Sequence, residues 1–77
     1  MDNNNLSPQP VEQAPITMDF YAALREVAAG KTIRRQSWPV EDFALMADFL
    51  LTVHTKGETK HWVINDGDLA GTDWITL

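Results

Sequence analysis

The chain contains no cysteine. That excludes disulfide staples, thiolate zinc sites and cysteine nucleophiles, and it fits a reducing compartment. Basic residues are scarce: six Lys plus Arg stand against eleven Asp plus Glu, a formal net charge of −5. General nucleic-acid binding needs a basic face, so direct nucleic-acid binding is not expected. Long apolar runs are also missing. The best candidate, Phe43 to Val53, is interrupted by Asp48 and falls short of the roughly 18 residues of a membrane span.

The rest of the composition is uneven. Residues 1–16, MDNNNLSPQPVEQAPI, hold three of the four prolines and a run of three asparagines. Their apolar residues follow no period, so this stretch reads as a disordered or loosely attached arm. It lacks the basic start and apolar core of an export signal. Residues 17–77 then form one small domain. A domain of this size buries only about 60% of its unfolded surface, so a homo-oligomer or a partner-bound monomer is expected. Charge divides along the chain as well. Arg25, Lys31, Arg34 and Arg35 face only Glu26, whereas the stretch from His61 onward carries Asp66, Asp68 and Asp73 and no base.

The pattern predicts an α+β domain, one N-terminal helix packed on a small, mainly antiparallel β-sheet. In TMDFYAALREVAAGK, Phe20, Ala23, Leu24, Val27 and Ala28 make one helical stripe. Thr17 or Asp19 can cap its start, and Gly30 can take the left-handed position after its end. KTIRRQSW reads as a strand broken at Ser37-Trp38-Pro39. The next stretch is ambiguous. Pro39, Glu41 and Asp42 resemble a helix start, so Phe43–Ala47 is either strand or helical turn. Phe49–Thr55 and Thr59–Ile64, around Gly57, read as a hairpin. Asn65 or Asp66 can cap a one-turn helix, and DWITL is a final short strand.

No catalytic constellation stands out. No serine is paired in sequence with a base, no calcium-loop spacing occurs, and His54 and His61 flank the hairpin turn without an evident third ligand. The chain is therefore expected to be no enzyme, with no metal and no cofactor. Binding chemistry is more visible. Arg34, Arg35 and Trp38 combine guanidinium groups with an indole, the pieces that meet a phosphate and stack on a base. The same residues also suit an edge-strand charge pair beside a core tryptophan. Trp62 and Trp74 carry the same two readings, and a buried indole needs a partner for its N–H.

The ordered set of residues resembles the second type of phage Thoeris anti-defence domains. Met18, Asp19, Phe20, Ala23, Leu24, Gly30, Lys31, Ile33, Arg35 and Trp38 follow that family's opening, and Trp62, Asp68, Leu69, Asp73 and Trp74 its closing pattern. Ile64 and Asn65 stand where the family usually has Pro-Ser, and the segment Pro39–Asp48 is short for it. The resemblance implies a non-enzymatic phage or prophage protein acting in the cytoplasm of the infected bacterial host. Its implied partner is a cyclic nucleotide immune signal, held between subunits of an oligomer. Arg34, Arg35, Trp38, Asn65, Asp68 and Trp74 are then the ligand-binding residues, with Trp38 and Trp74 stacking and Arg34 or Arg35 on phosphate. The alternative is an anti-CRISPR protein that blocks target DNA recognition by binding a CRISPR effector. In that case Glu41, Asp42, Asp48, Asp66, Asp68 and Asp73 would meet the effector's basic groove.

The arm leads to a direct test. Deleting residues 1–16 is expected to leave the thermal midpoint almost unchanged. A loss of more than about a few degrees in a calorimetric scan would place the domain boundary upstream of Thr17.

Overall fold

The computed structural model of the chain describes residues 16–77. Apart from an exposed Ile16, the expected N-terminal arm lies outside the described residues. Helix α1 runs Phe20–Ala28. Asp19 caps it, its carboxylate accepting from the Ala22 N–H at 2.9 Å. At the other end Gly30 adopts φ 96°. The Gly30 N–H donates to the Val27 carbonyl and the Lys31 N–H to the Glu26 carbonyl, the bond pair of a Schellman motif. Phe20, Ala23 and Val27 are buried and Leu24 packs half-buried against them. Ala28, the fifth member of the expected stripe, is exposed.

Five strands follow, β1 (Ile33–Arg35), β2 (Phe43–Ala47), β3 (Leu50–Thr55), β4 (Glu58–His61) and β5 (Trp74–Thr76), with the short helix α2 (Asp66–Ala70) before the last. They form one antiparallel sheet in the order β4-β3-β2-β1-β5. The α+β architecture is as the pattern predicts. The ambiguous stretch resolves to strand: β2 pairs along its whole length with β3, from Phe43–His54 to Ala47–Leu50. Pro39 starts a turn there instead of a helix, with the Asp42 N–H donating back to the Pro39 carbonyl. Met18 adds a single bridge to Trp74 on the outer side of β5. The chain entering α1 is thereby tied to the strand that ends the fold.

Two hairpin turns share positive φ at both central positions but differ in their residues. Lys56 and Gly57 join β3 to β4 with φ values of 53° and 77°, and Asp48 and Phe49 join β2 to β3 with 53° and 66°. Positive φ at both central residues defines the tight turn whose twist matches a hairpin. Phe49, expected to open a strand, therefore occupies a turn position that costs an L-residue about 1–2 kcal/mol. The expected second hairpin arm likewise ends at His61. Trp62 still donates its N–H to the Leu51 carbonyl, but its ring turns into the core.

Residues paired across an antiparallel sheet point to the same face. Ile33, Ala44, Val53 and Trp74 thus share the face on which α1 lies, and they form the buried core with Phe20, Ala23, Val27 and Trp62. The aromatic members meet edge to face or tilted: Phe20 lies 5.4 Å from Trp74 and 6.0 Å from Trp62 between ring centres. Arg34, Phe43 and His54 belong to the opposite face, where Phe43 and His54 stack at 4.9 Å. Phe20→Ala is expected to cost about 3–5 kcal/mol, a large share of the stability of a small domain. The half-buried Leu24→Ala should cost less, and chemical denaturation of both variants checks the ranking.

Candidate functional site

The C-terminal turn is built around one guanidinium. Arg35, at the end of β1, lies on the core face. Its Nε donates to Asp73 Oδ1 at 2.7 Å and its Nη1 to the Gly67 carbonyl at 3.1 Å. Asp68 Oδ1 lies 3.9 Å from Nη1, and the guanidinium carbon sits 5.9 Å from the centre of the Trp74 ring. Gly71 makes room for this side chain: a Cβ there would come within 2.8 Å of the guanidinium carbon.

The rest of the turn locks in place around it. Asn65 and Asp68 form a capping box at the start of α2. The Asp68 N–H donates to Asn65 Oδ1 at 2.8 Å, and the Asn65 N–H reaches Asp68 Oδ2 at 3.4 Å. Asp68 is buried although charged, a position tolerable only with such partners. Its carbonyl accepts from Trp74 Nε1 at 3.2 Å, which satisfies the indole. Asp73 holds both Arg35 and the Ser37 N–H, the latter at 3.0 Å.

These contacts redistribute the expected ligand-binding residues. Arg35, Asn65, Asp68 and Trp74 do come together, but as a closed structural cluster. Trp74 has no exposed surface and its ring is surrounded by Phe20, Trp38, Trp62 and Arg35. Stacking on a ligand would require opening the core. Arg34 and Arg35 are not a guanidinium pair either, because neighbours on a strand point to opposite faces. Arg34 Nη2 donates to the Trp38 carbonyl at 2.6 Å, and Arg34 Nε is buried without a hydrogen-bond partner. Trp38 is half-buried, packed edge to face against Trp62 and Trp74 at 6.2 and 5.2 Å. Arg34 and Trp38 are the members of the set that lie outside the hydrogen-bonded Arg35 cluster.

The acids of the alternative reading are dispersed. Asp42 accepts from the Thr55 hydroxyl at 2.7 Å, and Asp68 and Asp73 belong to the Arg35 cluster. Glu41 lies in the loop before β2, Asp48 at a hairpin tip and Asp66 in α2, all exposed. His54 and His61 stand on one face of adjacent strands, opposite Thr59 and Thr52. Among the described residues, no three His, Asp or Glu side chains gather as a metal site would require. Sequence reading missed the part played by Gly67 and Gly71. The only signal for them was small residues spaced around Asp68 in DGDLAGTDW.

Asp73 carries a pH signature. Burial pushes its pKa up, but the hydrogen bonds from Arg35 and Ser37 outweigh that and bring it from 3.8 down to about 2. A carboxyl whose pKa falls on folding stabilises the native state above its unfolded pKa and loses that contribution as pH drops through the folded value. The stability difference between wild type and Asp73→Asn is expected to be constant above about pH 5 and to shrink between about pH 4 and pH 2. Parallel urea titrations across that window would disprove the pairing if both proteins lost stability at the same rate.

No curated protein sequence matches the chain closely. A family model does match, over residues 18–77, from the Met18 bridge through the final strand. The matched span takes in the whole Arg35 cluster and the tryptophan core, and by it the chain belongs to the Thoeris anti-defense 2-like (Tad2-like) domain family.

Proposed function

We propose that this chain is a non-catalytic counter-defence protein that captures a cyclic nucleotide immune signal in the cytoplasm of an infected bacterium. Membership of the Thoeris anti-defense 2-like family carries this reading, since it points to a phage role against the Thoeris system. Binding without chemistry suits the residues at hand. A guanidinium is a fixed cation with paired donors, and an indole is a broad face on which any base can stack.

Arg34 and Trp38 are the residues on which the ligand would rest. Arg34 holds the Trp38 carbonyl and keeps one donor unpartnered. Trp38 lies at the outer side of the tryptophan cluster, its inner edge braced by Trp62 and Trp74. Bracing of this kind lowers the entropy lost when a ligand orders the side chain. In this reading Arg35, Asn65, Asp68 and Trp74 act indirectly, by holding the turn against which Trp38 is packed.

The decisive measurement is mass spectrometry of small molecules released from the purified protein after exposure to extract of cells with an activated Thoeris defence. A nucleotide enriched on wild type and lost from Arg34→Gln is expected, with circular dichroism showing an intact fold. Asp66→Asn, on the exposed side of α2, should retain it. If wild type enriches no nucleotide over a control protein, the capture reading fails. If Arg34→Gln binds as wild type does, the assignment of Arg34 fails while capture stands.

A further inference from the structure

The turn that carries Trp38 is held from outside itself. Residues 35–38 close a β-turn, with the Trp38 N–H donating to the Arg35 carbonyl at 3.1 Å. Gln36, Ser37, Pro39 and Val40 are exposed, so packing fixes this stretch through the Trp38 ring and not through its neighbours. Both N–H groups inside the turn go to one residue. Gln36 donates to the Asp73 carbonyl at 2.9 Å and Ser37 to Asp73 Oδ2 at 3.0 Å. The first bond extends the pairing of β1 with β5 by one rung, and the second reaches past the end of that ladder.

The two oxygens of the Asp73 carboxylate have separate tasks. Oδ1 accepts from Arg35 Nε and Oδ2 from the Ser37 N–H. Closure of the C-terminal cluster accounts for the Arg35 bond. It does not account for the Ser37 bond, because an exposed turn N–H is a donor that solvent can satisfy. What that bond adds is a fixed backbone one residue ahead of Trp38. On the other side, Arg34 Nη2 holds the Trp38 carbonyl at 2.6 Å. The main chain is thus gripped before and after the indole.

We propose that Asp73 is a positioning residue for ligand capture: through the Ser37 N–H it fixes the turn that aims Trp38, a task separate from its pairing with Arg35. This rests on the reading above that Trp38 is the surface a nucleotide meets. A platform that is already aimed loses less entropy on binding. One that is aimed only about a tenth of the time binds about tenfold more weakly. Asparagine cannot perform both tasks. It has the shape of aspartate but one acceptor oxygen, and its amide nitrogen would face a donor.

Fluorine NMR tests it on the full chain, with fluorotryptophan at its three tryptophans and Trp38→Phe identifying the Trp38 line. In Asp73→Asn the Trp38 line is expected to broaden or split while the Trp62 line stays single. Replacing the Ser37 amide by an ester, in a chain assembled by chemical ligation, deletes the Ser37 donor alone and leaves the Arg35 pair. It should broaden Trp38 in the same way with Trp62 and Trp74 single, and it serves also if Asp73→Asn fails to fold. The nucleotide enriched from activated extract should fall about tenfold for both chains, whereas Leu24→Ala, which lowers stability from α1, should retain it. A Trp38 line that stays single in the ester chain overturns the proposal. Broadening of all three lines together, the mark of a general structural role, overturns it as well. So does wild-type capture by an ester chain whose Trp38 line is broadened. If wild type enriches no nucleotide, the capture reading fails, and a broadened Trp38 line in the ester chain still establishes the hold of Asp73 on that indole.

Discussion

The guanidinium of Arg35 is the point on which the C-terminal third of the fold closes. It joins the end of β1 to α2 through the Gly67 carbonyl and to the approach of β5 through Asp73. A charge-assisted bond of 2.7 Å to a carboxylate is strong. Removing one partner of such a pair is costly because the other is left behind half-desolvated. The adjacent residues follow from this constraint. Gly71 is small because the guanidinium occupies the space of its Cβ. Asp68 is acidic because it must cap α2 and also lie near Arg35.

Trp74 depends on the same closure. Its ring is fully buried at the meeting of α1, β1 and the last strand, and its N–H is satisfied only because α2 brings the Asp68 carbonyl within reach. Met18 exchanges both backbone hydrogen bonds with it, at 2.9 and 3.2 Å. A small domain without disulfides has few ways to secure its ends. Here the entrance to α1 and the exit strand secure each other across one indole. That cost in residues explains why so little of the family's closing signature is free to meet a ligand. The fold consumes Arg35, Asp68, Asp73 and Trp74 in contacts with one another and with the core.

Much of the architecture was legible in the chain. The stripe of α1 up to Val27, its Asp19 cap and its Gly30 exit each rest on local chemistry, and each is found in the structure. The same holds for Asn65 capping α2 and for a hairpin around Gly57. Phe43–Ala47 was not legible, because Pro39 with two acids after it resembles a helix start. What makes it a strand is β3, a partner supplied by the hairpin beyond it. Phe49 was misplaced for a related reason. Its side chain favours a strand, and the register Ala47–Leu50 leaves it no position but the turn.

The sequence by itself determined the helix, its ends, the family and the residue types available for binding, since those depend on spacing and on neighbours a few residues away. Only the tertiary structure decided how those residues are used. Strand alternation sent Arg34 and Arg35 to opposite faces, and the pairing of β1 with β5 carried Arg35 to Asp73, 38 positions along the chain. Burial of Trp74 turned an expected stacking platform into the core. Contacts between distant segments decide which polar groups are satisfied and which remain for a partner, and no local pattern encodes them.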